Sequence, residues 1–339
     1  KNIFVNGLKA IIDEYQFDGV DIDFEGGSMN FSAGNLRDIS YAGISAYPRL
    51  KNVVDAFKEL KAHYGPGFLL TAAPETQYVQ GGYSTYNDTF GSFLPIIQNL
   101  RNELDLLAVQ LYNTGGENGL DGQYYGSAKR ANMVTALTDM VIKGYNIAST
   151  GMRFDGLPAS KVLIALPACP SAAGSGYITP AEGISAMHYL RTGTTFSGRT
   201  YTMQPGGPYP SLRGLMTWSV NWDASSCGNS SELSKAYAAY FASQTAAKTL
   251  VLDDISAKSN ATIAYFKNNA LSVTNENEDI AQVDVFNVLG QNLVSHRNVQ
   301  NNKEVLLQSH SFSSKQLFLV VVTDKAGNKK SFKVMNFLN

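Results

Sequence analysis

Residues 18–25 read Asp-Gly-Val-Asp-Ile-Asp-Phe-Glu, and their spacing suggests a chemistry. Asp21, Asp23 and Glu25 stand at i, i+2 and i+4, with Val20, Ile22 and Phe24 between them. Side chains alternate faces along a strand, so the three acids share one face, with neighbours about 7 Å apart. Like charges that close push at least one pKa upward, leaving a proton donor beside a carboxylate. Such a pair is what cleavage of a glycosidic bond uses. Two plainer readings compete. One is a half-buried strand whose outer face is merely solvated. The other is a calcium loop, since Gly26 is sixth counting from Asp21; but the twelfth place holds Ser32 where such a loop needs a bidentate Glu.

The surrounding pattern favours a site. Val5 to Tyr15 reads as an amphipathic helix, and the turn Gln16-Phe17-Asp18-Gly19 leads straight into the acids. Asp18 has the wrong parity for the acidic face and reads as a turn residue. Helix, tight turn and a strand ending in acids and Gly26-Gly27 is how a (β/α) barrel presents chemistry at a strand's C-terminal end. Further apolar runs follow, at Phe68–Ala73, Leu106–Leu111, Val162–Leu166 and Gly214–Trp218. Helical patterns lie between them, at Leu50–His63, Asn132–Lys143 and Glu182–Arg191. Strands alternating with helices predict a parallel sheet covered on both faces. Gln110, Tyr112 and Trp218 fall near the ends of these runs. Taken singly, an aromatic residue there is more often core packing; ends of consecutive strands together suggest a site.

The string Asp18-Gly-Val-Asp21-Ile-Asp23-Phe-Glu25 resembles the signature of family 18 glycoside hydrolases, the chitinases and their endo-β-N-acetylglucosaminidase relatives. Phe68–Glu75, Leu106–Asn113, Val162–Ala168 and Gly214–Asp223 are similar to that family's fifth to eighth strands, and the wording is nearest to bacterial D-type chitinases. The resemblance spans roughly residues 1–245. It implies an α/β fold, a partial (β/α)8 TIM barrel with strands four to eight present. The first three strands and the family's Ser-x-Gly-Gly motif are missing, which suggests a piece of a longer protein whose open half-barrel would be a poor enzyme by itself. The resemblance also implies substrate-assisted, retaining hydrolysis of β-1,4-linked N-acetylglucosamine in chitin, endo-acting and without metal or cofactor. Glu25 would be the proton donor and Asp23 the stabiliser of the intermediate, with Asp21 sharing its charge and Tyr112 donating to the acetamido oxygen. Trp218 would floor the sugar pocket, with Gln110, Asn113 and Glu75 shaping it. The alternatives are an N-glycan endoglycosidase, which shares every catalytic residue, and a non-catalytic chitin-binding lectin of the same fold, which would typically lack the acid.

Composition excludes other classes. The 339 residues carry 27 basic and 28 acidic side chains for a net charge of −1, so nucleic acid and anionic membranes are not expected partners. No apolar run reaches membrane-spanning length. Four scattered histidines and two distant cysteines predict no metal site. Gly81-Gly82 and Gly115-Gly116 could let sugars approach the backbone, or could be ordinary turn glycines. Cys169 and Cys227 follow neighbouring strands on one rim and predict a disulfide, with two separate buried thiols as the alternative.

A boundary is expected near residue 245, with Ser243–Lys248 as a small-residue linker. Residues 246–339 then predict an all-β sandwich, with strands at 263–266, 271–273, 283–288, 305–307, 317–322 and 330–334 and turns at Asn268-Asn269, Asn275–Asp279, Leu289-Gly290 and Asp324–Asn328. Its Val283–Gln291 string and the Lys329-Lys330 hairpin resemble the C-terminal sorting domain of the type IX secretion system. That implies an encounter with type IX machinery and a secreted or cell-surface location; a carbohydrate-binding or spacer sandwich is the alternative.

Overall fold

Helix α1 (Asn2–Tyr15) buries Val5 and Ile12 and stops at Gln16, whose left-handed backbone (φ 54°) turns the chain into strand β1 (Gly19–Ile22). Gly19 is required there, because a Cβ would collide with the carbonyl of Leu69 on the neighbouring strand. The computed structural model describes residues 1–228, 231–254, 262–267, 270–275, 278–287, 291–298, 302–312 and 316–336. The chain divides into two units, Lys1–Gln244 and Thr245–Asn339.

In the first unit, α2 (Pro48–Tyr64) begins with proline in its first turn, a place that needs no backbone N–H, and ends at Gly65. It buries Leu50, Val54, Phe57 and Leu60 on one face. Strand β2 (Leu69–Ala72) follows, then α3 (Leu94–Leu100) and the short β3 (Leu106–Leu107). Two small antiparallel pairs come next, β4 (Glu117–Asn118) with β5 (Tyr124–Tyr125), and, beyond α4 (Ala131–Lys143), β6 (Tyr145–Asn146) with β7 (Arg153–Phe154). Strand β8 (Leu163–Pro167), α5 (Pro180–Thr192), β9 (Gly214–Trp218) and α6 (Glu232–Asp254) complete the order.

Strand β1 pairs in parallel with β2, β2 with β3, and β8 with β9. Single parallel bridges, Leu107 to Val162 and Gln110 to Ala165, continue the array from β3 to β8. Five parallel strands therefore run side by side in chain order, each joined to the next through a helix, as the alternating apolar pattern predicts. Lys61 of α2 locks one such crossover. Its ammonium sits 2.6 Å from Asp105, and the same carboxylate accepts the Leu70 N–H at 2.8 Å, so helix, strand and the approach to β3 meet at one charge. In α4 the buried Asp139 accepts the Tyr209 hydroxyl, the Tyr201 hydroxyl at 2.6 Å and the Gln204 N–H at 2.9 Å, which satisfies the buried carboxylate. Cys169 and Cys227 are bonded, with Cα atoms 5.8 Å apart, as their common rim predicts. No helix among the described residues is long and apolar enough to cross a membrane.

The predicted linker at Ser243–Lys248 lies inside α6. Small residues read as a flexible joint are also strong helix formers, and Ala246 and Ala247 continue a turn already under way. In the second unit, β10 (Thr262–Lys267), β11 (Ala270–Asn275) and β14 (Glu304–Gln308) form one antiparallel sheet. The other has the order β13-β12-β15-β16, from β12 (Ile280–Phe286), β13 (Asn292–Arg297), β15 (Gln316–Asp324) and β16 (Lys329–Asn336). The sheets share one core, in which Leu271, Val273 and Leu307 meet Val283, Val285, Phe318 and Val320. The sequence pattern does not anticipate β13: it is an edge strand, exposed or half-exposed along its length, and carries no apolar alternation. The turn read at Asp324–Asn328 is present, with Asn328 N–H donating to the Asp324 side chain at 2.8 Å. Those read at Asn268-Asn269 and Leu289-Gly290 lie outside the described residues, as does part of Asn275–Asp279.

Candidate functional site

The alternation at residues 20–25 is realised as drawn from the sequence. Ile22 is buried and Val20 and Phe24 half-buried, while Asp21, Asp23 and Glu25 keep an open face. Each acid has its own partners. Asp21 Oδ1 accepts the Thr71 hydroxyl from its register partner on β2. Asp23 and Glu25 are joined by a single amide: Gln110 Nε2 donates to Asp23 Oδ1 at 3.1 Å and to Glu25 Oε1 at 2.9 Å. Gln110 is itself held by the Ala73 carbonyl at 2.8 Å and by the Thr76 hydroxyl on its own carbonyl. It is buried at the end of the β3 run, where its bridges to Glu75 and Ala165 fix it between neighbouring strands.

Crowding by protein atoms raises Asp23 to about 6 despite its open face, with the charges of Glu25 and Asp21 adding to the shift. The Gln110 hydrogen bond opposes it, and the bond shared with Glu25 reinforces it. Asp23 therefore exchanges its proton near pH 6, beside the Glu25 carboxyl that shares its Gln110 donor. Tyr112 is buried against Ala108 and Ala165, and its phenol is driven well above its ordinary value, chiefly by burial and then by Asp23, Glu25 and Asp21. It stays a hydrogen-bond donor at any physiological pH.

A cleft of about 280 Å³ opens beside this group, lined by Glu75, Gln77, Phe90, Tyr112, Asn113 and Glu117 among others. Glu75 accepts the Gln77 side-chain amide at 2.7 Å. Asn113 takes a left-handed backbone (φ 51°), and its Oδ1 accepts the Gly174 N–H at 2.7 Å, so it shapes the rim by stapling two loops. Trp218 stands at the end of β9 in register with Pro167 and is 50% exposed. It does not line this cleft. The other expected residues gather: Asp21, Asp23, Glu25, Gln110 and Tyr112 form one group, and Glu75 and Asn113 share the cleft that Tyr112 lines.

Packing separates the two glycine pairs. Gly81 and Gly82 are buried under Phe90, Glu117 and Leu94 and offer no open backbone to the cleft. Gly115 and Gly116 do line the cleft. Sequence reasoning does not single out Thr71, Thr76, Phe90 or Glu117. It also misses Tyr78, whose hydroxyl accepts the Gly26 N–H at 3.0 Å and holds the loop that carries Glu25. Thr71 alone has a usable signal, its parity opposite Asp21. A larger cleft of about 670 Å³, bordered by Asp121, Arg130, Glu182 and Phe196, holds none of the expected site residues.

Clustered carboxyls at the C-terminal end of a parallel strand, one of them raised towards neutrality, make an arrangement suited to general acid–base chemistry. Comparison with known proteins names the family. The chain is 96% identical over 339 residues to chitinase ChiA of Flavobacterium johnsoniae, covering all of this chain and 22% of that protein. It is 35% identical over 224 residues to endochitinase 4 of Metarhizium anisopliae, covering 66% of this chain and 68% of that one. A solved family GH18 chitinase from Chromobacterium violaceum matches at 36% identity and a TM-score of 0.60, over 70% of this chain and 58% of that one. The chain belongs to the glycoside hydrolase family 18 chitinases. It spans about a fifth of the length of its near-identical Flavobacterium relative. Residues 250–336 match a family model described as a domain of unknown function (DUF8694).

Proposed function

We propose that this chain carries the catalytic acids of an endo-acting chitinase that hydrolyses β-1,4-N-acetylglucosamine linkages with retention, by substrate assistance. The observation that carries the reading is the Gln110 amide that ties Asp23 to Glu25, with the buried Tyr112 hydroxyl beside them. Glu25 protonates the departing glycosidic oxygen. The substrate's own 2-acetamido carbonyl oxygen attacks the anomeric carbon and closes an oxazolinium ion, so no enzyme carboxylate becomes covalently attached. That ion is cationic and carries an N–H. Asp23, as carboxylate, accepts from it, and Asp21 shares the balancing proton. Tyr112 donates its hydroxyl to the acetamido oxygen and holds it for attack. Water then opens the ion, with Glu25 as base. Trp218 stacks under the reacting sugar, Gln110 keeps the two acids in register, and Glu75 and Asn113 shape the adjoining cleft.

The five parallel strands support the finer reading that residues 1–245 are strands four to eight of a (β/α)8 barrel. Exposed Ile3, Phe4 and Ile11 on α1 and Val220 after β9 are apolar surface of the kind further barrel elements would cover. For residues 246–339 we infer a β-sandwich that serves as a type IX sorting domain, which makes the protein secreted or surface-bound. The two sheets with a common core support the first part and the resemblance at Val283–Gln291 the second. Fusing residues 246–339 to a reporter in a type IX host should export it; retention in the periplasm refutes the sorting role.

The mechanism is tested on the protein as its host makes it. Acetylated chitin oligomers should be cut with the β-anomer as first product, fully deacetylated chitosan should be inert, and a thiazoline analogue of the oxazolinium ion should inhibit strongly. Cleavage of fully deacetylated chitosan at a comparable rate refutes substrate assistance.

A further inference from the structure

Glu117 has no part in the mechanism above, yet it lines the cleft that Tyr112, Glu75 and Asn113 also line. It lies on β4, beyond the loop that leaves β3. Its carboxyl rests over Gly81, where a Cβ would come within 3.1 Å of Oε1 and 2.8 Å of the Phe90 ring. The missing Cβ is what lets this carboxyl and that ring sit side by side on the cleft wall. Among the described residues no hydrogen bond or ion pair reaches the carboxyl, and burial alone pushes Glu117 up to about 7. The titratable groups around it are acids and phenols. Tyr145 feels its charge, Tyr83 lies on the turn against β4, Tyr124 and Tyr125 lie on β5, and Glu75 and Tyr112 share the cleft. The described lining contains no Lys, Arg or His.

Glu117 is half-buried, and a carboxyl drawn partly out of water without a protein partner gains from a ligand that brings a donor and a charge. A hydroxyl would supply only the donor. Glu75 lines the same cleft and no basic side chain of the described lining offsets it, so the charge on this wall is acidic alone, and such a field selects cations. A β-1,4-N-acetylglucosamine chain can offer one kind of cation, the 2-ammonium of a unit that has lost its acetyl group. The cleft, at about 280 Å³, lies at the small end of ligand sites and suits a single sugar unit.

Resting on the chitinase reading, we propose that Glu117 is a specificity-determining residue: it pairs with the ammonium of a de-N-acetylated unit bound at a fixed distance from the scissile bond. The unit that reacts keeps its acetyl group, because that group is the nucleophile. The natural substrate on this view is partly deacetylated chitin.

The test uses the protein as its host makes it, digesting partially acetylated chitosan, with the new chain ends sequenced by mass spectrometry. Wild type should enrich glucosamine about tenfold at one fixed position from the cut, the effect of one charge-assisted hydrogen bond. In Glu117→Gln that enrichment should fall to the level set by the substrate's composition, and Glu117→Lys should drive the position to N-acetylglucosamine. No enriched position in wild type, or enrichment that survives both substitutions, overturns the proposal. A parallel assay on fully acetylated oligomers separates the two readings. If wild type leaves those uncut, the hydrolase reading falls and takes this proposal with it; if they are cut and the ends are random, only this proposal falls.

Discussion

Replacing Asp23 with asparagine should make the protein more stable and much less active, and the stability gain should depend on pH in a defined direction. Asp23 is raised from 3.8 to about 6 by burial and by the charges of Glu25 and Asp21. A raised carboxylate pKa means that folding prefers the protonated form. The cost of ionising Asp23 is therefore absent below about pH 4, grows as pH rises through the interval to about 6, and is constant above it. A shift of roughly two units corresponds to about 3 kcal/mol if unscreened. Asp23 keeps more than a third of its surface open to water, so the realised cost is about 1 kcal/mol. The asparagine side chain would keep the acceptor for Gln110 and drop the charge. Thermal unfolding by circular dichroism should place Asp23→Asn a few degrees above wild type at pH 8. At pH 3.5 the two should coincide. Over the same range, kcat on chitin oligomers should drop by about 10²–10³, the usual loss of a group that stabilises developing charge. A variant less stable than wild type at pH 8, or a difference that persists unchanged at pH 3.5, would refute the claim that an unfavourable Asp23 charge is held in the folded state.

Glu25→Gln should lower kcat by about 10²–10⁴ with little change in oligomer affinity, measured by steady-state kinetics and calorimetry; retention of more than a tenth of wild-type kcat removes Glu25 from the donor role. Reduction of the Cys169–Cys227 bond frees a closure of 58 residues and should cost up to about 4 kcal/mol, read as a lower midpoint in guanidinium with and without reductant. Asp139→Ala strands the Tyr201 and Tyr209 hydroxyls and the Gln204 N–H, and should destabilise by about 3 kcal/mol without altering the pH profile of activity. An altered profile would mean that this network reaches the catalytic acids.

The shared open face of Asp21, Asp23 and Glu25 was legible because a period of two in the sequence is also a geometric period, and Ile22 and Phe24 reported which face was covered. Gln110 and Tyr112 were legible for a similar reason, since strand ends in a parallel array converge on one rim. Glu117 was not, because its environment is assembled from Gly81 and Phe90, residues 36 and 27 positions away. The segment Ser243–Lys248 misled because small residues serve joints and helices equally well. Strand β13 escaped because an exposed edge needs no apolar face, and without one the sequence carries no alternation to read.

The acids Asp21, Asp23 and Glu25 lie within five consecutive residues at and just beyond the end of β1, whereas the walls of the adjoining cleft come from segments after β2 and β3. The two are thus inherited almost separately. Insertions, deletions and exchanges in the wall segments can reshape the cleft while the acidic segment 18–25 is copied unchanged. A lineage built this way can change what its cleft accepts before it changes its chemistry, and a gene can carry a second copy of the motif with different walls.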